Sequence, residues 1–380
     1  MDGLQTLGLT RREHSFLLLV RAGLWNREPK DLQGFPLSAG DWEAVMQQAR
    51  EQTVQGLLLS GIQQLPPELL PAQQQLWQWM PELAGIEAGY QQTLAAVATS
   101  NAILRATGAE PLLQKGISVA RFYDQPQWRV NGDVDWYVGC SSLKSITEYL
   151  QKQGYLLQHH ADGSISLNLD EVEVELHPYP TDILTPRAKK LLQELFTLGE
   201  RQQMHLPNGQ TIDVASPIGT LLMLEAHLMK HVFTVGIGLR QFCDMARAAH
   251  VLYGKYDNAQ LTQLLRSTGM MRWHLLLQRF LESVLGMATD LWPQTGQSPY
   301  KKMDDDLRWL LHDVLRGGNF GQHTSAWKSQ EEQGKGFTGH TLRQILNRLP
   351  HALHIAPTEV CYQTGSLAYH RIQNKIHKST

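Results

Sequence analysis

Residues 132–139 read GDVDWYVG. Successive side chains of an extended strand point to opposite faces, so Asp133 and Asp135 share one face while Val134, Trp136 and Val138 share the other. The apolar trio suits a strand laid on a core. Two carboxylates this close repel each other unless a cation or a third partner holds them. The strand therefore carries a demand for positive charge, and its neighbours in sequence are the place to look for the answer.

Upstream, LLQKGIS (112–118) sets Lys115-Gly116 between a short strand and a helix turn. Glycine at such a junction lets backbone N–H groups approach a phosphate. Downstream, VEVELHP (172–178) alternates strictly, with Val172, Val174 and Leu176 facing one way and Glu173, Glu175 and His177 the other. Laid beside the first strand, it would add a third carboxylate to the same surface. Clustered carboxylates suit divalent cations that prefer oxygen ligands. The ordinary alternative is that Asp133, Asp135 and the two glutamates are solvated turn and strand residues.

The segment LLQKGISVARFYDQPQWRVNGDVDWYVG (112–139) resembles the core signature of an uncharacterised nucleotidyltransferase family, LKG…Y…P…R..GDiDl. That pattern is distantly similar to the polymerase-β-like superfamily and to the KGGT…R.S.DiD motif of abortive-infection toxin nucleotidyltransferases. VEVELH resembles the family's later ElH strand, AHLMKHVF…LRQFCDMA its His- and Asp-bearing helices, and RGGNFG a glycine-rich tail motif. The likeness runs over roughly residues 40–325.

By that resemblance, Asp133, Asp135 and Glu175 would be catalytic and hold two Mg²⁺, with Mn²⁺ as a substitute. Lys115, Gly116 and Ser118 would contact the triphosphate of an NTP donor, and Arg129 would neutralise phosphate charge. His177, His227, His231, Arg240 and Asp244 would wall the cleft. One departure stands out. Ile117 follows Gly116 where the superfamily has a second Gly or Ser, so the phosphate contact is left open between Lys115 and Ser118. His227 and His231 lie four apart on one helix face. Leu228 stands where zinc proteases carry the glutamate after the first histidine, so a structural or nucleotide-contacting role is preferred to metal. Arg240 and Asp244 are also four apart, as in an ordinary surface ion pair.

The chain's 380 residues exceed one ordinary core. The expected division is a helical region over 1–108, a small mixed α/β core over 109–215 and a helical region over 216–380, an α+β fold. DWEAVMQQAREQTVQGLLLSGI (41–62) has helical spacing. LPPELLPA (65–72) is a break, and residues 86–107 form another helix. SSLKSITEYLQKQG (141–154) is a helix capped by Ser141 or Ser142. Asn208-Gly209 is a hairpin signal, and Ser216-Pro217 opens a helix with its cap and its N1 proline. Further helices are expected over 239–253, 259–288, 303–316 and 340–352. The Gly317–Gly321 loop closes a helix or serves the site, and the basic end 369–380 is a solvated tail.

Net charge is -2, from 34 Lys+Arg and 36 Asp+Glu, which offers no bulk attraction for a large RNA or an anionic membrane. Three cysteines without CxxC spacing argue against a disulfide framework or a cysteine zinc site. The early apolar run FLLLV (16–20) is too short for a signal sequence or a span. A cytoplasmic protein without a disulfide-linked or membrane partner is expected. The acceptor stays open among a small molecule, a tRNA end and a protein side chain. Two other readings stand beside it: a toxin-like enzyme acting on RNA, and a non-catalytic nucleotide-binding or scaffold protein that keeps the fold.

Overall fold

The computed structural model describes residues 3–160, 162–293, 295–319, 338–362 and 365. Helices open the chain: α1 (Arg11–Trp25), α2 (Ala39–Glu51), α3 (Gln55–Ile62) and the long α4 (Gln73–Ala106). Thr10 and Glu13 form a reciprocal capping box at the start of α1. α1 and α3 cross so closely that a Cβ on Gly61 would lie 1.9 Å from the Leu19 carbonyl oxygen, which only glycine permits. The helix expected over 86–107 starts earlier, at Gln73, and runs through Pro81. A proline removes one helical N–H, and this is why the sequence pattern breaks where the helix does not.

All seven described strands fall between Leu112 and Ala215: β1 (Leu112–Leu113), β2 (Val134–Tyr137), β3 (Gln158–His159), β4 (Ile165–Leu169), β5 (Val172–His177), β6 (Arg201–His205) and β7 (Thr211–Ala215). They form one sheet in the order β3-β4-β5-β2-β1-β7-β6. β2 pairs parallel with β5 and antiparallel with β1, and β1 pairs parallel with β7, so the sheet is mixed. Asn208-Gly209 turns β6 into β7, with Gly209 at φ 83° and the Asn208 side chain accepting from Gln210 N at 3.1 Å. Between the strands lie α5 (Ile117–Ala120), α6 (Cys140–Lys152) and α7 (Pro186–Leu198). The sequence reading did not foresee α7. Nor is α6 capped by Ser141 or Ser142: Gly139, at φ 76°, precedes it without a side-chain cap.

The apolar face of β2 and β5, with Val134, Trp136, Val174 and Leu176, packs on Val97 and Leu104 of α4 and on Ile146 and Leu150 of α6. Trp136 is fully buried and its Nε1 donates to Ser100 Oγ at 2.9 Å. Burial of each aliphatic side chain contributes roughly 1.5–3 kcal/mol. A one-residue slip would turn this set outward and put Asp133 and Asp135 into the core. The register is thus set by hydrophobic burial, and the carboxylates are carried to the opposite face as a consequence.

That opposite face meets α8 (Pro217–Phe233) and α9 (Leu239–Leu252). Ser216 caps α8 through Gly219 N, and Pro217 occupies its first turn, as the sequence implied. α10 (Asn258–Thr268) and α11 (Met271–Leu285) divide the stretch expected as one helix, because Gly269 ends α10 in the left-handed conformation at φ 76°. α12 (Met303–Gly317) and α13 (Thr338–Ile355) complete the helical layer, which shares a second core with α1–α3. Gly317 ends α12. The remainder of the glycine-rich segment, from residue 320, and the basic end 369–380 lie outside the described residues. Among the described residues, no helix is long and apolar enough to cross a membrane, and Cys140, Cys243 and Cys361 are free.

Candidate functional site

The parallel register of β2 and β5 sets Asp135 opposite Glu175. In-register residues of a parallel pair point the same way, so both carboxylates reach one surface. Asp135, Glu175 and His177 each offer a ligand atom within 4.8 Å of the others. Glu173, on the same face, is exposed and two positions away. Asp133 stands just before β2, exposed at the mouth of a cleft that Lys115, Gly116, Asp135, His227 and Arg240 also line.

The positive charge that the two aspartates require is supplied from within the chain. Lys115 Nζ lies 3.1 Å from Asp135 Oδ1, and His177 Nε2 lies 2.8 Å from the same oxygen. Burial alone would raise the Asp135 carboxyl, yet Lys115 and the His177 hydrogen bond hold it well below the ordinary value. Asp133 goes the other way: the charge of Asp135 pushes it up to about 6. Burial works against the Lys115 ammonium, but Asp135, Asp182 and Asp133 together raise its pKa. His177 is likewise raised by Asp135 against burial. Glu175 accepts from Ser164 Oγ at 2.6 Å through Oε1, and its Oε2 faces His177 at 3.6 Å.

The turn below the strand is strained in the way glycine tolerates. Lys115 has φ 33° and Gly116 has φ 49°, ψ −119°. Ser118 is buried, and its Oγ donates to the Lys115 carbonyl at 2.8 Å, which holds this turn rather than reaching the cleft.

Arg129 is buried in a fork: its Nε and Nη2 donate to the two oxygens of Asp244, each at 2.7 Å. Tyr123 OH donates to Asp244 as well, at 2.7 Å. Asp244 therefore partners Arg129, not the expected Arg240 one helical turn away. Arg240 reaches across to donate to the Val130 carbonyl, and its Nε has no hydrogen-bond partner. Burial and the neighbouring Arg129 lower the Arg240 pKa. It is the arginine of this cleft with donor capacity to spare.

His227 and His231 stack edge to face on α8, with ring centroids 4.4 Å apart. Burial first, and then Lys115, lower His227 to about 4; burial also pushes His231 well below its ordinary value. Asp182, in the loop after β5, faces His227 Nδ1 at 3.4 Å and accepts from Lys230 Nζ at 2.7 Å. Nothing in the local sequence around Asp182 marked it, since a loop residue carries no periodicity.

Asp135 and Glu175 converge on one face together with His177, and Asp133 stands at the exposed mouth of the adjoining cleft, so three carboxylates are the oxygen donors present. This chemistry fits hard divalent cations such as Mg²⁺. A cation bound at Asp135 would share that carboxylate with Lys115.

A family model described as an uncharacterised nucleotidyltransferase matches residues 38–290. The match begins where the sequence resemblance began and stops short of the glycine-rich tail segment. No curated protein matches. Among solved structures, the crystal structure of an antigenic nucleotidyltransferase-like protein from Paracoccidioides brasiliensis is similar over 51% of this chain and 92% of that chain, with 14% identity and a TM-score of 0.31.

Proposed function

This chain belongs to the uncharacterised nucleotidyltransferase family, and from that premise we propose that it moves a nucleoside monophosphate from an NTP to an acceptor in a reaction that depends on divalent metal. The observation that carries the reading is the convergence of Asp135 and Glu175 on one face of the sheet, beside a cleft that Asp133, Asp135, Lys115 and Arg240 line. We take residues 109–215 as the catalytic unit, because the whole described sheet lies within them.

Asp133, Asp135 and Glu175 would hold Mg²⁺, which on binding supplies charge neutralisation of the phosphates and a more acidic attacking oxygen. The Lys115-Gly116 turn and Arg240 bind and orient the triphosphate. Arg129 acts at one remove, fixing Asp244 and the α9 wall of the cleft. His177 holds Asp135 in its ionised state. The acceptor oxygen attacks the α-phosphorus, a new P–O bond forms, and pyrophosphate departs with the electron pair of the broken bond. The acceptor is a small molecule, a tRNA end or a protein side chain, and the setting we infer is the cytoplasm.

The test is pyrophosphate release from each of the four NTPs, with and without Mg²⁺, by the wild type and by Asp133→Asn/Asp135→Asn. Release that requires both Mg²⁺ and the aspartates supports the reading; equal release by the double variant sinks it.

One observation favours a second reading, a non-catalytic nucleotide-binding module. Asp135 is already neutralised by Lys115 and His177, so a nucleotide could be held without metal. Binding indifferent to Mg²⁺ and to the double substitution, with no pyrophosphate formed, would select it.

A further inference from the structure

A second cluster lies beside Lys115. Asp182, His227 and His231 each offer one ligand atom within 4.8 Å of the others. His227 lines both the transfer cleft and the smaller pocket that Asp182 borders. The contact between His227 Nδ1 and Asp182 Oδ2 is 3.4 Å, long for a hydrogen bond. Around a tetrahedral zinc, with bonds of about 2.0–2.1 Å, neighbouring ligand atoms stand about 3.3 Å apart. The pair is therefore spaced as two ligands of one ion are.

The three side chains sit on supports that fix them. The two histidines are one turn apart on one face of a capped helix. The Asp182 loop is tied at both ends: Gln114 Nε2 donates to the Pro180 carbonyl at 2.7 Å, and Glu359 accepts from Leu184 N at 2.7 Å and Thr185 N at 3.0 Å. Lys230 holds Asp182 Oδ1 at 2.7 Å, which turns Oδ2 toward His227. A ligating carboxylate fixed by an outer hydrogen bond is the usual support of a metal site. The chemistry also differs from that of the cleft. Two imidazoles and one carboxylate select a borderline transition metal more strongly than the carboxylate-rich set of Asp135, Glu175 and His177 does. The absent glutamate after His227 counts against zinc-protease chemistry but not against a bound ion, because the third ligand comes from a loop 45 residues earlier.

We propose that Asp182, His227 and His231 form a transition-metal site, with Zn²⁺ as its ion, that ties the loop after β5 to α8 beside the transfer cleft. Three protein ligands leave a fourth position for water or a substrate oxygen.

The test uses the full chain freed of metal by a chelator, and its readout does not depend on nucleotidyl transfer. Zn²⁺ is titrated calorimetrically into the wild type, His231→Ala, His227→Gln and the cleft variant Asp133→Asn/Asp135→Asn/Glu175→Gln. Circular dichroism checks that each is folded. One Zn²⁺ per chain is expected, weakened at least about tenfold by either histidine substitution, unchanged in the cleft variant and not displaced by millimolar Mg²⁺. Cobalt(II) in the wild type should give the strong visible bands of a low-coordinate site, absent in His231→Ala. Zinc affinity equal in the wild type and both histidine variants, or no binding tighter than about 0.1 mM, would overturn the proposal. So would loss of zinc in the cleft variant alone, which would move the ion to Asp135, Glu175 and His177.

Discussion

Lys115 Nζ stands 3.1 Å from Asp135 Oδ1, and with that contact the chain answers the repulsion written into its own Gly-Asp-Val-Asp strand. Asp135 is 3% exposed, so its charge would be costly without a partner. The lysine comes from the turn just before α5 and the aspartate from the middle of β2. One ammonium therefore links the phosphate-side turn to the metal-side strand, and any cation entering the cleft competes with it for the same carboxylate.

Replacing Lys115 by Met keeps most of the apolar stem and removes the ammonium. Stability should fall by about 2 kcal/mol, the worth of a hydrogen bond to a charged group. Mg²⁺ should then raise the urea midpoint of Lys115→Met more than that of the wild type, because the ion takes over the lysine's role. Equal Mg²⁺ effects on the two proteins would show that the ion does not bind at Asp135.

Asp133 imposes a pH dependence of definite sign. Its folded value, about 6, lies above the ordinary 3.8. A carboxyl raised in this way weakens the native state as pH climbs from about 4 through about 6. Asp133→Asn should thus match the wild type near pH 4 and exceed its stability above about pH 6, by no more than about 1 kcal/mol at this screened, exposed position. Asp135 has the opposite sign: its depressed value contributes stability above the ordinary carboxylate pKa that is lost on acidification. Denaturant midpoints across that range separate the two.

Arg129 and Arg240 should behave differently although both line the cleft. Asp244→Asn strands the Arg129 guanidinium in a buried position and should cost about 3–5 kcal/mol. Arg240→Ala should leave the unfolding midpoint nearly unchanged and weaken NTP binding about tenfold, the loss of one charge-assisted phosphate contact. If the stability loss fell on Arg240→Ala instead, the roles given to the two arginines would be reversed.

Gly116→Ala tests the turn. A Cβ there would meet only the Asp133 carbonyl oxygen, at 3.5 Å, which is ordinary contact. The penalty is backbone strain at φ 49°, ψ −119°, about 1–3 kcal/mol. Thermal unfolding should record it, and NTP affinity should fall with it because the relaxed turn moves Lys115.

The parts that the sequence disclosed are those with a local period or a local cap. Alternation in GDVDWYVG and VEVELH marked which face of each strand carries charge. Ser216-Pro217 marked the start of α8, and Asn208-Gly209 the β6–β7 turn. Pairing across distance was not legible. The parallel register that sets Glu175 against Asp135 joins residues 40 apart, and no local pattern encodes it. The same holds for Lys115 with Asp135 and for Asp182 with His227. Arg129 resembled a phosphate ligand because an arginine precedes the strand; its fork with Asp244 depends on how α9 packs over the sheet. The family likeness points to Ser118 as readily as to Lys115, but the turn's own hydrogen bond claims the hydroxyl.

The most direct test of the carboxylate cleft is calorimetric titration of ATP, GTP, CTP and UTP, each with and without Mg²⁺, into the wild type and Asp133→Asn/Asp135→Asn. The expected result is one NTP bound per wild-type chain only when Mg²⁺ is present, and none by the double variant. Binding of equal strength by both proteins, with or without Mg²⁺, would contradict the assignment of Asp133, Asp135 and Glu175 as the metal-holding carboxylates.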